Sequence, residues 1–259
     1  MGNEGENVRF AQAVKFFAYE VQEKTLIVIP TYNERENIVD LLKQIGEIVP
    51  GAHVVVVDDR SPDGTGDAVR AFCGAGGGAS VALIERGGAR GLGNAYREGL
   101  RYGLDHGYDV LVTMDADFSH NPLHLPAILE ASREHDVAIG SRYIRDGGTI
   151  NWRIRRILLS WLANRFARFT LNLKGADLTS GFRAYRRKIL EEIVPEQVQS
   201  NGYSFLVEML FRAQRKNARV AEVPIVFFDR TMGTSKISRR EIFRGVFTLL
   251  RLRCGRFRE

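Results

Sequence analysis

Residues 110–122 read Val-Leu-Val-Thr-Met-Asp-Ala-Asp-Phe-Ser-His-Asn-Pro and suggest the organisation of the whole chain. The uncharged β-formers of residues 110–114 predict a buried strand. Asp115 and Asp117 follow at its carboxyl end, which is the edge where open α/β sheets bind ligands. Two acids one residue apart can hold a hard divalent cation, but aspartate also starts turns. The segment alone therefore fits a metal site and an acidic turn about equally well.

Apolar strands alternate with helices along most of the chain. Continuous apolar strands separated by helices are typical of parallel sheets covered on both faces. We predict one α/β domain with a mostly parallel sheet flanked by helices. The predicted strands are residues 25–30, 53–57, 81–84, 110–114, 137–140 and 220–228, and the predicted helices are residues 34–49, 65–72, 91–106, 122–135, 203–217 and 241–253.

Acidic or amide side chains follow three of these strands. Asn33 and Glu34 follow the first strand, Asp58 and Asp59 follow the second, and the pair at 115 and 117 follows the fourth. The carboxyl ends of parallel strands meet at one edge of a sheet, so we expect these groups to converge there. This convergence favours a binding site over isolated acidic turns.

The composition is that of a folded protein, and the net charge of +6 is unevenly placed along the 259 residues. Residues 238–259 hold seven arginines and two glutamates, and residues 151–173 hold five arginines and no acid. Such clusters attract phosphates, whether of nucleic acid, anionic lipid or a small ligand. The two cysteines lie far apart, which argues against a zinc site and fits a reducing cytoplasm.

Two segments combine arginines with large apolar side chains, at residues 150–173 and 241–253. They predict amphipathic helices with an apolar face and a basic polar face. Such a helix can lie on an anionic membrane surface or pack its apolar face on the core. The first alternative is favoured for residues 241–253. No apolar run reaches the ~18–20 residues that cross a bilayer.

Seven stretches together resemble one family, the polyprenol-phosphate (dolichol-phosphate) mannosyltransferases among the inverting family-2 glycosyltransferases. The resemblance covers residues 25–238, and the ordered set is far more specific than any single piece. The stretches are residues 29–34 (Ile-Pro-Thr-Tyr-Asn-Glu), 57–65 (Val-Asp-Asp-Arg-Ser-Pro-Asp-Gly-Thr), 91–96 (Gly-Leu-Gly-Asn-Ala-Tyr), 114–122, 140–143 (Gly-Ser-Arg-Tyr), 178–183 (Leu-Thr-Ser-Gly-Phe-Arg) and 227–236.

This resemblance implies a single domain of the GT-A type over residues 24–238. Residues 1–23 would be an N-terminal extension, and residues 239–259 a basic amphipathic helix. It also implies transfer of mannose from GDP-mannose to a polyprenol (dolichol-type) monophosphate, with inversion and with Mg²⁺ or Mn²⁺. The implied setting is the cytoplasmic face of a membrane, bound peripherally or through a membrane subunit.

Three other functions are compatible with parts of the sequence. The nearest is transfer of glucose or another sugar to the same lipid phosphate. A nucleic-acid-binding protein would explain the arginines but not the acids at one sheet edge, so nucleic acid is not an expected partner. A non-catalytic nucleotide-sugar-binding subunit is disfavoured by the intact acid pair.

The donor site is assigned by resemblance. Asp117 is the principal metal ligand, with Asp115 and Ala116 beside it. Ser119 stands where some relatives have glutamine, so either its hydroxyl or a water completes the coordination. The residues that match the nucleoside-binding positions are Pro30, Tyr32, Glu34, Val57 and Asp59.

The acceptor is a phosphate that is already anionic, so it needs cations to position it rather than a general base. Arg142, Arg156 and Ser160 match the acceptor positions of the family. Arg230 and Lys236 match a loop that closes over the donor phosphates. Three further polar residues, Asp58, His120 and Glu208, are interpreted as structural or orienting groups.

Overall fold

The computed structural model of the chain describes residues 18–77, 80–229 and 239–254. Strands and helices alternate through the first half, as the sequence predicts. In chain order the elements are β1 (Thr25–Thr31), α1 (Arg35–Ile48), β2 (His53–Asp58), α2 (Thr65–Phe72), β3 (Val81–Glu85), α3 (Leu92–Asp105), β4 (Val110–Thr113), α4 (Leu125–Glu134), β5 (Val137–Ser141), β6 (Gly148–Ile150), α5 (Ile154–Leu171), β7 (Arg183–Arg186), α6 (Arg187–Ile193), α7 (Tyr203–Arg215), β8 (Val220–Pro224), β9 (Val226–Phe228) and α8 (Arg239–Arg253).

One seven-stranded sheet, in the order β3-β2-β1-β4-β7-β5-β8, forms the centre of the molecule. Strands β3, β2, β1 and β4 run parallel, and β5 pairs with β8 in parallel. Strand β7 lies between β4 and β5 and is antiparallel to both. The mostly parallel sheet flanked by helices is therefore confirmed.

The central parallel strands β1, β2 and β4 are buried on both faces because most of their side chains are apolar. Val28 and Val55 pack on the α3 side, while Ile27 and Val56 pack in a second cluster on the α1 side. Helix α3 lies very close to the sheet. A Cβ atom at Gly99 would be 2.2 Å from a methyl carbon of Val28. Glycine is thus required where the helix crosses the strands.

The second half of the chain differs from the prediction in two ways. It contains an antiparallel strand that the sequence did not predict, and one predicted strand is two separate strands. Strand β7 was not predicted because Arg183-Ala-Tyr-Arg186 lacks an apolar run, although Arg183 is fully buried. The strand predicted at residues 220–228 is two strands, because β8 belongs to the main sheet and β9 pairs with β6 in a separate one. Helix α6 was also not predicted. Most of the N-terminal extension, residues 1–17, lies outside the described residues.

Helix α5 exposes its large apolar side chains instead of packing them on the core. Its buried positions are mostly small or polar, including Asn164, Ala167 and Thr170. Ile154 and Phe169 are 82% and 85% exposed. The core-packing alternative is therefore not supported for this helix. Across the described residues, no helix is both long and apolar enough to cross a membrane.

Candidate active site

A cavity of about 1010 Å³ begins at the carboxyl end of β4 and extends between α5 and α8. Its inner end is polar and its outer part is apolar, with side chains such as Leu159, Phe166 and Leu249. The predicted site residues that line it are Asp115, Asp117, Ser119, Arg142, Arg156 and Ser160. The structure thus brings the predicted metal residues and acceptor residues to one cavity.

The acid pair sits on a tight turn directly after β4. Phe118 adopts a left-handed backbone conformation with φ 58°, which turns the chain back towards the strand. The Ser119 backbone N–H and hydroxyl both donate to Asp117 Oδ1, at 3.1 and 2.6 Å. Because Ser119 is only 2% exposed, its hydroxyl orients Asp117 from the protein side. Ala116, between the two acids, is buried and fills space beneath them.

The donor atoms at this turn suit a hard divalent cation. Asp115 and Asp117 offer carboxylate oxygens and Ser119 offers a hydroxyl, which are the ligand types that Mg²⁺ and Mn²⁺ prefer. Among the described residues, no group of three or more His, Cys, Asp or Glu could hold a metal ion. An ion held by the few protein oxygens of this turn would complete its coordination with water or a ligand, as Mg²⁺ commonly does.

His120 is confirmed as a residue of the turn. Its Nδ1 accepts the backbone N–H of Asp115 at 2.9 Å, so that nitrogen carries no proton. Burial lowers the pKa of His120 below its ordinary value, against the opposing effect of Asp115 and Asp117. The ring stacks on Phe182 with centroids 5.1 Å apart. A neutral, stacked histidine supports the turn from behind the carboxylates.

Arg142 is held by a buried acid that was not predicted. Its Nε and Nη2 donate to the two oxygens of Asp177 at 2.6 and 2.7 Å, and Nη2 also donates to Thr179 at 2.9 Å. Burial alone would raise the pKa of Asp177, but attraction to Arg142 and its hydrogen bonds outweigh burial and lower it. Asp177 is therefore ionised at neutral pH and compensates much of the arginine's charge. Its partner is 35 residues away, so no local sequence pattern could have identified it.

Arg156 lies at a more open part of the cavity. It forms an ion pair with Asp229, and its guanidinium carbon lies 4.1 Å from the centroid of the Trp152 ring. Both charged side chains are partly exposed, so this pair is easier to rearrange than the buried one at Arg142. Ser160 lies one turn further along α5, and its carbonyl accepts from Asn164 at 2.9 Å.

Glu208 is confirmed as an orienting residue. It is fully buried, and it accepts hydrogen bonds from the Ser200 hydroxyl and from the Ser200 backbone N–H at 3.2 Å. Arg212 donates two further hydrogen bonds to the same carboxylate, at 3.0 and 3.1 Å. Gln199 and Ser200 line the cavity, so Glu208 shapes one wall of it.

The predicted nucleoside residues lie outside this cavity, at the ends of β1 and β2. Asp58 is confirmed as structural, because it accepts from Thr31 at 2.8 Å and from Ser61 at 2.6 and 2.8 Å. Asp59 is 8% exposed, pairs with Arg86 and accepts the Gly91 N–H at 2.9 Å. Arg86 follows β3 at the same sheet edge, so the reasoning that located the acids could also have located this cation.

The other nucleoside positions differ in their access to solvent. Tyr32 is 41% exposed, and the Arg90 guanidinium lies over its ring at 4.7 Å and donates to its hydroxyl. Val57 is fully buried, backbone included, because β2 lies between β1 and β3. Glu34 accepts from the Asn37 side chain at 2.8 Å, and Pro30 is partly buried in β1.

Arg230 and Lys236 lie outside the described residues. Their predicted role over the donor phosphates therefore stays a prediction. The last described residue before them, Asp229, pairs with Arg156. The described segment that precedes Arg230 therefore ends beside the cavity.

Sequence comparison with known proteins agrees with this geometry. The family model of glycosyl transferase family 2 matches residues 26–194. The chain is 46% identical over 215 residues to undecaprenyl-phosphate mannosyltransferase of Micrococcus luteus, covering 83% of this chain and 88% of that protein. It is 44% identical over 226 residues to polyprenol monophosphomannose synthase of Mycolicibacterium smegmatis, covering 87% and 85%. The family resemblance noted in the sequence is confirmed.

Solved structures share the fold at low sequence identity. The glucosyl-3-phosphoglycerate synthase of Mycobacterium tuberculosis, in complex with Mg²⁺ and UDP, superposes with a TM-score of 0.65 at 18% identity. The match covers 96% of this chain and 83% of that one, which confirms the predicted GT-A type fold. From the family model and the two relatives together, we conclude that the chain belongs to glycosyl transferase family 2 and is a glycosyltransferase.

Proposed function

We propose that this enzyme transfers mannose from GDP-mannose to a polyprenol monophosphate, giving polyprenyl phosphate mannose and GDP with inversion. The observation that carries the proposal is the single cavity whose inner end holds the acid pair and whose outer part is apolar. An acceptor with a phosphate head and a hydrocarbon tail matches both ends. The names of the two relatives, undecaprenyl-phosphate mannosyltransferase and polyprenol monophosphomannose synthase, support mannose as the sugar and a polyprenol phosphate as the acceptor.

The donor diphosphate is proposed to bind at the acid pair. Asp117 and Asp115 would hold Mg²⁺ or Mn²⁺, and the ion would neutralise the charge that develops on the leaving GDP. Ser119 keeps Asp117 in place through its two hydrogen bonds. Related solved structures contain Mg²⁺ or Mn²⁺ together with UDP, which supports a divalent ion here.

The nucleoside is proposed to lie at the ends of β1 and β2. An acid at Asp59 or Glu34 suits a guanine N–H edge or a ribose diol, because a carboxylate accepts two hydrogen bonds. Tyr32 offers an exposed ring beside Arg90. The remaining proposed positions are Pro30, which is partly buried, and Val57 and Ala116, which are buried and would shape the site from beneath.

The acceptor phosphate is proposed to meet Arg142, Arg156 and Ser160. The phosphate oxygen attacks the anomeric carbon of mannose while the bond from that carbon to GDP breaks, and no proton has to be removed from the acceptor. Arg142 is fixed by Asp177 and so provides a rigid donor, while Arg156 can exchange Asp229 for the phosphate. Arg230 and Lys236 are proposed to cover the donor phosphates.

Donor competition distinguishes mannose transfer from the nearest alternative. Enzyme and a polyprenyl phosphate are incubated with labelled GDP-mannose and an excess of unlabelled GDP-mannose, GDP-glucose or UDP-glucose. We expect only unlabelled GDP-mannose to suppress labelling of the lipid strongly. Suppression by UDP-glucose together with glucose transfer would instead identify a glucosyltransferase.

The exposed apolar side chains of α5 and α8 are proposed to enter the boundary of an anionic membrane at its cytoplasmic face. They include Ile154, Phe169 and Phe247, with exposures of 82%, 85% and 70%. The neighbouring arginines Arg155 and Arg165 are also exposed. Apolar insertion beside cationic groups is the usual binding mode of a peripheral helix, and a separate membrane subunit could use the same surface.

Liposome flotation tests this membrane surface. The variant Ile154→Ser/Phe169→Ser is expected to float at least tenfold less with anionic liposomes, because burying each such side chain contributes about 1.5–3 kcal/mol. Leu123→Ser is a matched control, since Leu123 is 46% exposed but lies outside both helices. Equal flotation of the double variant and the wild type would contradict the proposal.

A further inference from the structure

Tyr96 lies directly behind the acid pair, outside the cavity. It belongs to α3 and is fully buried. Its hydroxyl donates to Asp115 Oδ1 at 2.9 Å. An ionised carboxylate can only accept hydrogen bonds, so this bond fixes the direction of the tyrosine proton. A buried donor is thus dedicated to one oxygen of a proposed metal ligand.

The position of the Tyr96 hydroxyl is itself tightly defined. The ring stacks against Phe205 with centroids 6.1 Å apart and planes 17° apart. On the other side, a Cβ atom at Gly181 would lie 3.2 Å from the hydroxyl and 3.7 Å from Asp115 Oδ1. The Gly181 carbonyl is in turn held by the Thr113 hydroxyl at 2.7 Å. The hydroxyl therefore has little room to leave Asp115.

The hydrogen bond from Tyr96 orients the carboxylate of Asp115, whereas the other contact of this residue orients only its backbone. The Asp115 backbone N–H is fixed by His120, which sets the main chain but not the carboxylate. The carboxylate side chain is 27% exposed, so without Tyr96 it could rotate towards solvent. The neighbouring Asp117 is oriented differently, by the hydroxyl of Ser119. Each acid of the pair thus has one hydroxyl that sets its orientation.

We propose that Tyr96 is a positioning residue of the metal site, holding Asp115 so that its second oxygen is available to the divalent cation. The inference rests on the proposed function, because it assumes that Asp115 is a metal ligand. Groups that orient a metal ligand typically change metal affinity 10- to 100-fold when removed, because the ligand must then be ordered at the moment of binding. The bond also keeps a buried hydroxyl paired, which would otherwise be costly.

Mn²⁺ binding measured by electron paramagnetic resonance, with GDP present and no acceptor, tests the proposal. Tyr96→Phe is expected to bind Mn²⁺ about 10- to 100-fold more weakly than the wild type. Tyr108→Phe is the matched control, because it also removes a buried hydroxyl, one bonded to His53 at 2.7 Å, without touching the acid pair. We expect the control to bind Mn²⁺ like the wild type.

The outcomes separate this inference from the proposed function. Unchanged Mn²⁺ affinity in Tyr96→Phe, with normal binding by the wild type, would overturn the role of Tyr96 alone. Failure of the wild type to bind Mn²⁺ would overturn the proposed metal site and this inference together. Gly181→Ala provides a second variant that keeps the tyrosine but crowds its hydroxyl, and it is also expected to weaken Mn²⁺ binding. Circular dichroism verifies that each variant is folded.

Discussion

Asp117→Asn is expected to lower kcat/KM for mannosyl transfer by at least about a thousandfold, equivalent to about 4 kcal/mol of transition-state stabilisation. The asparagine keeps the shape of the side chain and one oxygen for Ser119, but it removes the negative charge that would hold the cation. Without that charge, the developing charge on the leaving diphosphate loses its main compensation. Initial rates at several GDP-mannose concentrations measure the loss.

Two further variants control this result. Asp40→Asn removes an exposed aspartate on α1 and is expected to keep wild-type rates. Ser119→Ala removes the 2.6 Å hydrogen bond to Asp117 but no charge, so a smaller loss is expected, on the order of tenfold. A thousandfold loss in both site variants would mean that the serine itself ligates the metal. Full activity of Asp117→Asn would remove the proposed metal role.

Asp177→Ala is expected to destabilise the fold by about 3–5 kcal/mol, because it leaves the charge of Arg142 buried without its partner. Asp177 is fully buried and Arg142 is 8% exposed. Chemical denaturation of the purified variant measures the change in unfolding free energy. The double variant Arg142→Met/Asp177→Leu is expected to recover part of the stability, since two apolar side chains can replace a buried pair. The recovery is incomplete because the backbone N–H groups of Arg142 and Ser180 lose Asp177 as their acceptor. The double variant is not expected to recover activity, because the arginine would still be missing.

The same pair gives the stability a defined pH dependence. The folded protein lowers the pKa of Asp177 below that of the unfolded chain, which is ~3.9 for an aspartate. The unfolded state therefore takes up the proton first as the pH falls. The stabilisation by this group is complete above pH ~4 and is lost as the pH falls through the folded pKa. The double variant should lack this contribution, so an unchanged acid profile would contradict the assignment.

The sheet edge could be predicted from sequence because its signals are local. Each of the three predicted sets of acidic or amide residues follows a continuous apolar strand. One of these sets, Asp115 and Asp117, lies directly after β4 as predicted. The cavity likewise brings together Arg142, Arg156 and Ser160, which resemblance alone had grouped. Residues that directly follow a strand can be located from sequence, because the sheet fixes where the end of each strand lies.

The features that were missed depend on contacts distant in sequence. Strand β7 carries Arg183, whose buried guanidinium is satisfied by the backbone carbonyls of Leu178, Ser180 and Leu206. No apolar pattern marks such a strand. Tyr96 lies inside a recognised motif, but its bond to Asp115 becomes visible only when α3 packs against β4. The exposure of the apolar side chains on α5 could not be predicted from sequence either. The spacing of apolar residues shows that a helix has an apolar face, but it does not show whether that face packs on the core.

The central claim, transfer of mannose to a lipid phosphate, is tested most directly by following the label from GDP-[¹⁴C]mannose into an organic extract. The enzyme is incubated with Mg²⁺ and either a polyprenyl phosphate or the matching polyprenol without phosphate. We expect labelled lipid only with the phosphate, and loss of that product when a chelator is added. Equal labelling of both acceptors, or no labelled lipid under any of these conditions, would contradict the account.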